Sequence, residues 1–124
     1  MRSERLYLTD IIAAADEIAV FVENLSKEMF IADVRTRSAT LYQLVVIGEA
    51  ADQISAELRD RHPEAPWSEL RGLRNVATHA YHNLDWDIVW TAVTLEIPEL
   101  RKRIASILEA EYGGRPLGGD VENP

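Results

Sequence analysis

At 124 residues, 47% hydrophobic and 27% charged, the chain is long enough to bury one core and too short for two. It has no cysteine, which excludes disulfides, zinc–thiolate sites and thiol nucleophiles. Its net charge of −8 argues against broad, non-specific binding to nucleic acid, which draws on many Lys and Arg contacts to phosphate; a small basic cleft or a basic partner remains compatible with it.

No apolar run approaches the roughly 20 residues that span a bilayer. The first residues, MRSERLYLTD, lack the apolar segment of a signal peptide. A cytoplasmic protein with no membrane partner is expected. Leu8, Ile11, Ile12, Ala15, Ile18, Ala19, Val22 and Leu25 form the stripe of a first helix, which Thr9 or Asp10 could cap. Ser26–Ala32 reads as a short helical turn with Met29, Phe30 and Ile31 packing inward. Asp33 then reads as the N-cap of a long helix reaching about Arg61.

That long helix is apolar over more than one side. Leu41, Leu44, Val45, Gly48, Ala51 and Leu58 form one stripe, and Val46, Ile47, Ala50 and Ile54 a second. A helix so apolar belongs at the centre of a bundle or at a subunit interface. Gly48 costs about 1 kcal/mol against Ala in a helix interior, so close approach by another helix is expected there. Glu49, inside the apolar run, is expected to be buried with a partner or to point into a site, a salt bridge to an Arg being the ordinary case. His62-Pro63-Glu64-Ala65-Pro66 breaks the helix, because each proline disfavours it at the preceding residue. His62 is expected in an exposed loop.

Pro66–Trp90, PWSELRGLRNVATHAYHNLDWDIVW, carries the chemistry. Trp67 opens a helix and should pack in the core. Leu70, Leu73, Ala77 and Ala80 share one face. Arg71, Arg74, Asn75, Thr78, His79 and His82 share the opposite one, with Tyr81 at its edge. Two guanidiniums, two imidazoles and an amide, with no acidic residue from Arg71 to His82, suit binding a phosphate and moving a proton. Asn83-Leu84-Asp85 interrupts the pattern, and Asp85 is a natural N-cap for a last helix carrying Ile88, Val89, Ala92, Val93, Ile97, Leu100, Ile104, Ile107 and Leu108. Pro98 should kink that helix. Arg101, Lys102 and Arg103 read as a solvated basic face. The tail from Gly113, GGRPLGGDVENP, has no apolar periodicity and is expected to be mobile. The reading is all-α: an antiparallel bundle of four or five helices over residues 1–112, followed by a flexible tail, 113–124.

The order Arg74, four residues, His79, one residue, Tyr81 resembles the signature of the HEPN superfamily, and more closely that of HepT-like toxins. Ile47-Gly48-Glu49-Ala50 is similar to the family's mid-helix segment, and Pro66-Trp67 with Arg74-Asn75 to its PW…RN pattern. The resemblance spans about Asp33 to Leu100 and implies that the first helix starts nearer Ser3. It implies a metal-independent endoribonuclease that needs no cofactor, in which the 2′-hydroxyl of the RNA attacks the adjacent phosphodiester. His79 would be its general base or acid and Arg74 would hold the phosphate, with Asn75 and Thr78 in support. Tyr81 would be the hydroxyl that a partner, a minimal nucleotidyltransferase antitoxin, modifies with AMP. A metal site at His79, His82, Asp85 and Asp87 is disfavoured, since Asn83-Leu84 breaks the register its ligands would need.

On an ideal helix residues five apart point roughly 140° away from each other. Arg74 and His79 of one chain therefore close poorly on a single phosphate, and a homodimer with a composite cleft is expected. A second function remains in view: a non-catalytic HEPN module that binds a nucleotide or docks a nucleotidyltransferase. The acidic net charge favours it; the presence of Arg74, His79 and Tyr81 together favours the nuclease.

Overall fold

In the computed structural model, which describes residues 2–76 and 81–113 (Tyr81 by its backbone only), every regular element among the described residues is helical. Ser3 caps α1 (Glu4–Val22), its hydroxyl accepting from the backbone N–H of Leu6, as the family pattern implied. Ser26 caps α2 (Lys27–Ala32). Asp33 caps α3 (Val34–Asp52), accepting from the N–H groups of Arg35 and Thr36. These side-chain oxygens satisfy amide donors that a helix's first turn leaves unpaired.

The long helix expected from Asp33 to Arg61 is divided. α3 ends at Asp52, and α4 (Ala56–Arg61) restarts after Ser55, whose hydroxyl accepts from Leu58 N–H. The corner is pinned by α1: the Glu4 carboxylate accepts from Ser55 N–H at 2.8 Å and from its hydroxyl at 3.0 Å. The apolar period ran through the corner because Ile54 and Leu58 are buried on both sides of it.

α5 (Trp67–Gly72) runs into a 3₁₀ turn, Leu73–Asn75. A second 3₁₀ turn, Tyr81–Asn83, precedes α6 (Trp86–Thr91), which Asp85 caps. A wide π turn, Ala92–Glu96, joins α6 to α7 (Ile97–Tyr112). The irregularity expected at Pro98 thus falls one turn earlier. Pro98 itself sits in the first turn of α7, where its missing N–H costs little.

α1 packs on α3 and α7, and α3 also packs on α5 and the 3₁₀ turn that follows it. The pairings are antiparallel: Glu4 meets Ser55, Arg5 lies over the Tyr112 ring, and Asp16 pairs with Arg101. The core gathers Leu8, Ile11 and Ile18 with Ile47, Ala51, Leu58, Ile104 and Ile107. α3 buries residues over about half of its circumference, Leu41, Leu44, Ile47, Gly48, Ala50 and Ala51 among them, which fits its place against α1 and α5.

Four expectations need correction. Met29 is 53% exposed while Phe30 beside it is fully buried against Trp86 and Trp90. Ala14, not Ala19, completes the buried face of α1. Ile88 is 67% exposed, because α6 turns it away from the core that Val89 enters. Glu49 stands exposed rather than buried with an Arg, since its neighbours Gly48 and Ala50 take the packed positions.

Candidate functional site

Gly48 and Asp52 are one helical turn apart on α3 and face the same way. A methyl at Gly48 would overlap the backbone nitrogen of Arg74 and lie 2.9 Å from the carbonyl carbon of Leu73 and 3.0 Å from the Leu70 oxygen. The close approach expected at this glycine is therefore made by the backbone that carries Arg74. The second helix can come this near only where α3 has no side chain.

One turn on, Asp52 meets the same segment with its carboxylate. Arg71 Nε lies 3.1 Å from Oδ1 and Arg74 Nη1 2.8 Å from Oδ2. Arg74 Nε also donates to the Arg71 carbonyl at 2.9 Å. Two nitrogens of the Arg74 guanidinium are thereby held by fixed oxygens, while 35% of the side chain stays in solvent. The two guanidiniums outnumber the one carboxylate, leaving this corner with a net positive charge on an acidic molecule. A charge-assisted guanidinium of this kind is suited to a phosphate.

The remaining expected site residues lie around this corner in sequence. Asn75 ends the 3₁₀ turn and is exposed. His82 is exposed in the second turn, which the Tyr81 backbone opens. Thr78 and His79 lie outside the described residues, as does the tail from residue 114. The 3₁₀ turn tightens the chain at Arg74 itself, so the 100° per residue behind the composite-site expectation is broken at that residue.

Beside the same turn lies an apolar cavity of about 250 Å³ lined by Leu41, Leu44, Leu70, Leu73, Ile88 and Val89 among others. Among the described residues no group of three His, Asp or Glu is placed to hold a metal ion. Nor is any described helix long and apolar enough to cross a membrane.

A second polar cluster braces the loop before α5. His62 is no free loop residue: Nε2 lies 2.6 Å from Glu111 and Nδ1 3.2 Å from Glu64. Arg61 also grips Glu111, at 2.8 Å. The Arg61 guanidinium, and after it His62, hold the Glu111 carboxyl down at about 2. Trp67, buried as expected, donates its indole N–H to the His62 carbonyl at 2.8 Å. The start of the motif helix is thus tied to the end of α7. Sequence reasoning missed both Asp52 and Glu111. For Asp52 a signal existed: it follows Gly48 by four residues, on the stripe already marked for close approach.

The model of the family described as ribonuclease HepT-like matches residues 11–107. The chain is 33% identical over 111 residues to "Putative RNase TTE0752" of Caldanaerobacter subterraneus subsp. tengcongensis, covering 90% of this chain and 99% of that protein. It is 34% identical over 106 residues to "Probable ribonuclease HepT" of Thermococcus cleftensis, covering 86% and 96%. No solved structure matches the chain.

Proposed function

The chain belongs to the ribonuclease HepT-like family, and we propose that it is a metal-independent endoribonuclease acting as the toxin of a toxin–antitoxin pair. The observation that carries this reading is the seat of Arg74: its backbone lies on Gly48 and its guanidinium is held half-exposed by Asp52 and the Arg71 carbonyl. A phosphate-binding side chain gains from such preorganisation, because no reorganisation is then needed as charge develops.

In the proposed reaction the 2′-oxygen of one nucleotide attacks the phosphorus of its own 3′-phosphodiester. The P–O5′ bond breaks, giving a 2′,3′-cyclic phosphate and a free 5′-hydroxyl. His79 takes the 2′-hydroxyl proton or delivers one to the O5′ leaving group; an imidazole with an ordinary pKa near 6.5 serves either duty. Arg74 neutralises the extra charge on the phosphorane-like transition state, and Asn75 and Thr78 support the pair. Two copies of the chain would supply the acid and the base from opposite sides of one cleft. The exposed apolar side chains Val34, Tyr42, Ile88 and Leu95 offer surface for such a homodimer. A minimal nucleotidyltransferase antitoxin would silence the site by placing AMP on Tyr81, whose added anion would repel the RNA backbone.

The test is cleavage of a random-sequence RNA pool by the purified chain with a chelator present. Products should carry 2′,3′-cyclic phosphate ends, and Arg74→Ala and His79→Ala should each abolish cleavage with circular dichroism unchanged. Cleavage persisting in both variants, or absent from the parent dimer, defeats the reading. Light scattering that finds an active monomer defeats the two-chain cleft alone.

A further inference from the structure

We infer that Asp52 is a positioning residue for the RNA-cleaving site, acting through Arg74. The inference rests on the proposed ribonuclease function and adds a residue to it. Asp52 is the last residue of α3, and its place is fixed from two sides. The Glu4 carboxylate pins Ser55, three residues on, so the helix end cannot drift. Gly48, one turn back, seats the backbone of the segment that carries Arg74.

The geometry separates two roles that an acidic partner could play. A carboxylate that simply competed with phosphate would cover the guanidinium's free edge. Asp52 instead accepts from Nη1, while Arg71 donates its Nε to the other carboxylate oxygen and its carbonyl accepts from Arg74 Nε. These bonds fix the plane of the Arg74 guanidinium from one side, and the Nη2 donors are not among them. A guanidinium presents five N–H donors in a rigid fork, so fixing its plane aims the remaining ones. Arg71 offsets the charge of Asp52, which keeps the trio positive and open to an anion. The carboxylate therefore orients Arg74 without cancelling its charge.

Asp52→Asn keeps the shape and removes the charge that makes these bonds short. It should lower kcat for RNA cleavage on the order of 10-fold to 10²-fold, the scale of a catalytic group displaced by about 1 Å, while KM stays nearly unchanged. Asp52→Glu, which retains the carboxylate, should recover part of that loss. An independent readout is the Arg74 Nε–H resonance in a ¹⁵N spectrum of the full chain: sharp and protected in the parent, broadened by exchange in Asp52→Asn. Unchanged kcat in Asp52→Asn, or a rise in kcat/KM showing that Asp52 merely competed with RNA, would overturn the inference. Should Asp52→Asn fail to fold, Asp52→Glu with parental stability must show a weakened Arg74 resonance and a kcat deficit together; one without the other overturns it as well. A parent that cleaves no RNA defeats the proposed function instead, and the resonance test still decides whether Asp52 holds Arg74.

Discussion

Replacing Gly48 by Ala sets two effects of opposite sign against each other. Helix propensity alone favours Ala by about 1 kcal/mol in a helix interior. The added methyl, however, would overlap Arg74 N and crowd the Leu73 carbonyl carbon and the Leu70 oxygen. All three are backbone atoms, so no flexible side chain can swing aside, and overpacking of this kind costs about 1–3 kcal/mol. With the obstruction rigid, the upper part of that range applies. The net result is a loss of about 2 kcal/mol, or roughly 6–10 °C in Tm for a domain of this size. Activity should suffer beyond the loss of stability, because relief of the clash moves Arg74 away from α3 and from Asp52. A displacement near 1 Å can cost about 10²-fold in rate. Urea unfolding and RNA cleavage at a temperature where the variant is fully folded separate the two effects. A variant that is more stable than the parent and equally active would show that the helices part freely at this point, and the account of the site would fall with it.

Trp67→Phe keeps an aromatic ring in the core but loses the N–H donated to the His62 carbonyl at 2.8 Å; a loss of about 1–2 kcal/mol in urea unfolding is expected. Glu111 titrates at about 2 in the folded chain against an ordinary value of 4.5, held there by Arg61 and then His62. Its folded pKa is depressed, so its contribution is fully present above pH 4.5 and fades as the pH falls toward 2. The parent's urea midpoint should therefore decline more steeply over that interval than that of Glu111→Gln, and parallel declines would remove Glu111 from the account. Tyr81→Phe should retain RNA cleavage, since a phenol with a pKa near 10 is poorly matched to neutral proton transfer. Co-expressed with the proposed nucleotidyltransferase partner, it should show no AMP by intact mass; a variant still modified moves the acceptor elsewhere, with Tyr112 next to be examined.

The parts of the fold legible in the sequence are those that local chemistry dictates. Ser26, Asp33 and Asp85 cap helices in the structure because a short side-chain oxygen before an apolar period has one favourable use. Gly48 was legible as a close approach because a glycine in a helix interior needs a compensating gain. The corner at residues 53–55 was not legible. Its apolar period continues unbroken, and what stops the helix is the carboxylate of Glu4, more than fifty residues away in sequence. His62 escaped for the same reason: its partner Glu111 sits at the far end of α7. A one-dimensional period reports which face is buried, not which distant side chain interrupts it.

The same division runs through the site. Residue types on the motif segment mark Arg74, His79 and Tyr81 as candidates for the chemistry, yet they carry no information on what holds them. The support comes from α3, where Gly48 and Asp52 repeat at the four-residue spacing of one helical face. One admits the backbone of the motif and the other grips its guanidiniums. The surplus apolar surface of α3 brings the motif segment against it; the missing side chain at Gly48 and the carboxylate at Asp52 decide how the segment lies once there. An apolar residue in place of Asp52 would preserve the bundle. It would leave Arg74 to choose its own rotamer in water, and four rotatable side-chain torsions are then ordered only when RNA arrives, at a cost of up to about 2 kcal/mol. Rigid supply of a guanidinium is thus a property of the central helix and not of the motif, which is why the motif's sequence alone underdetermines the activity.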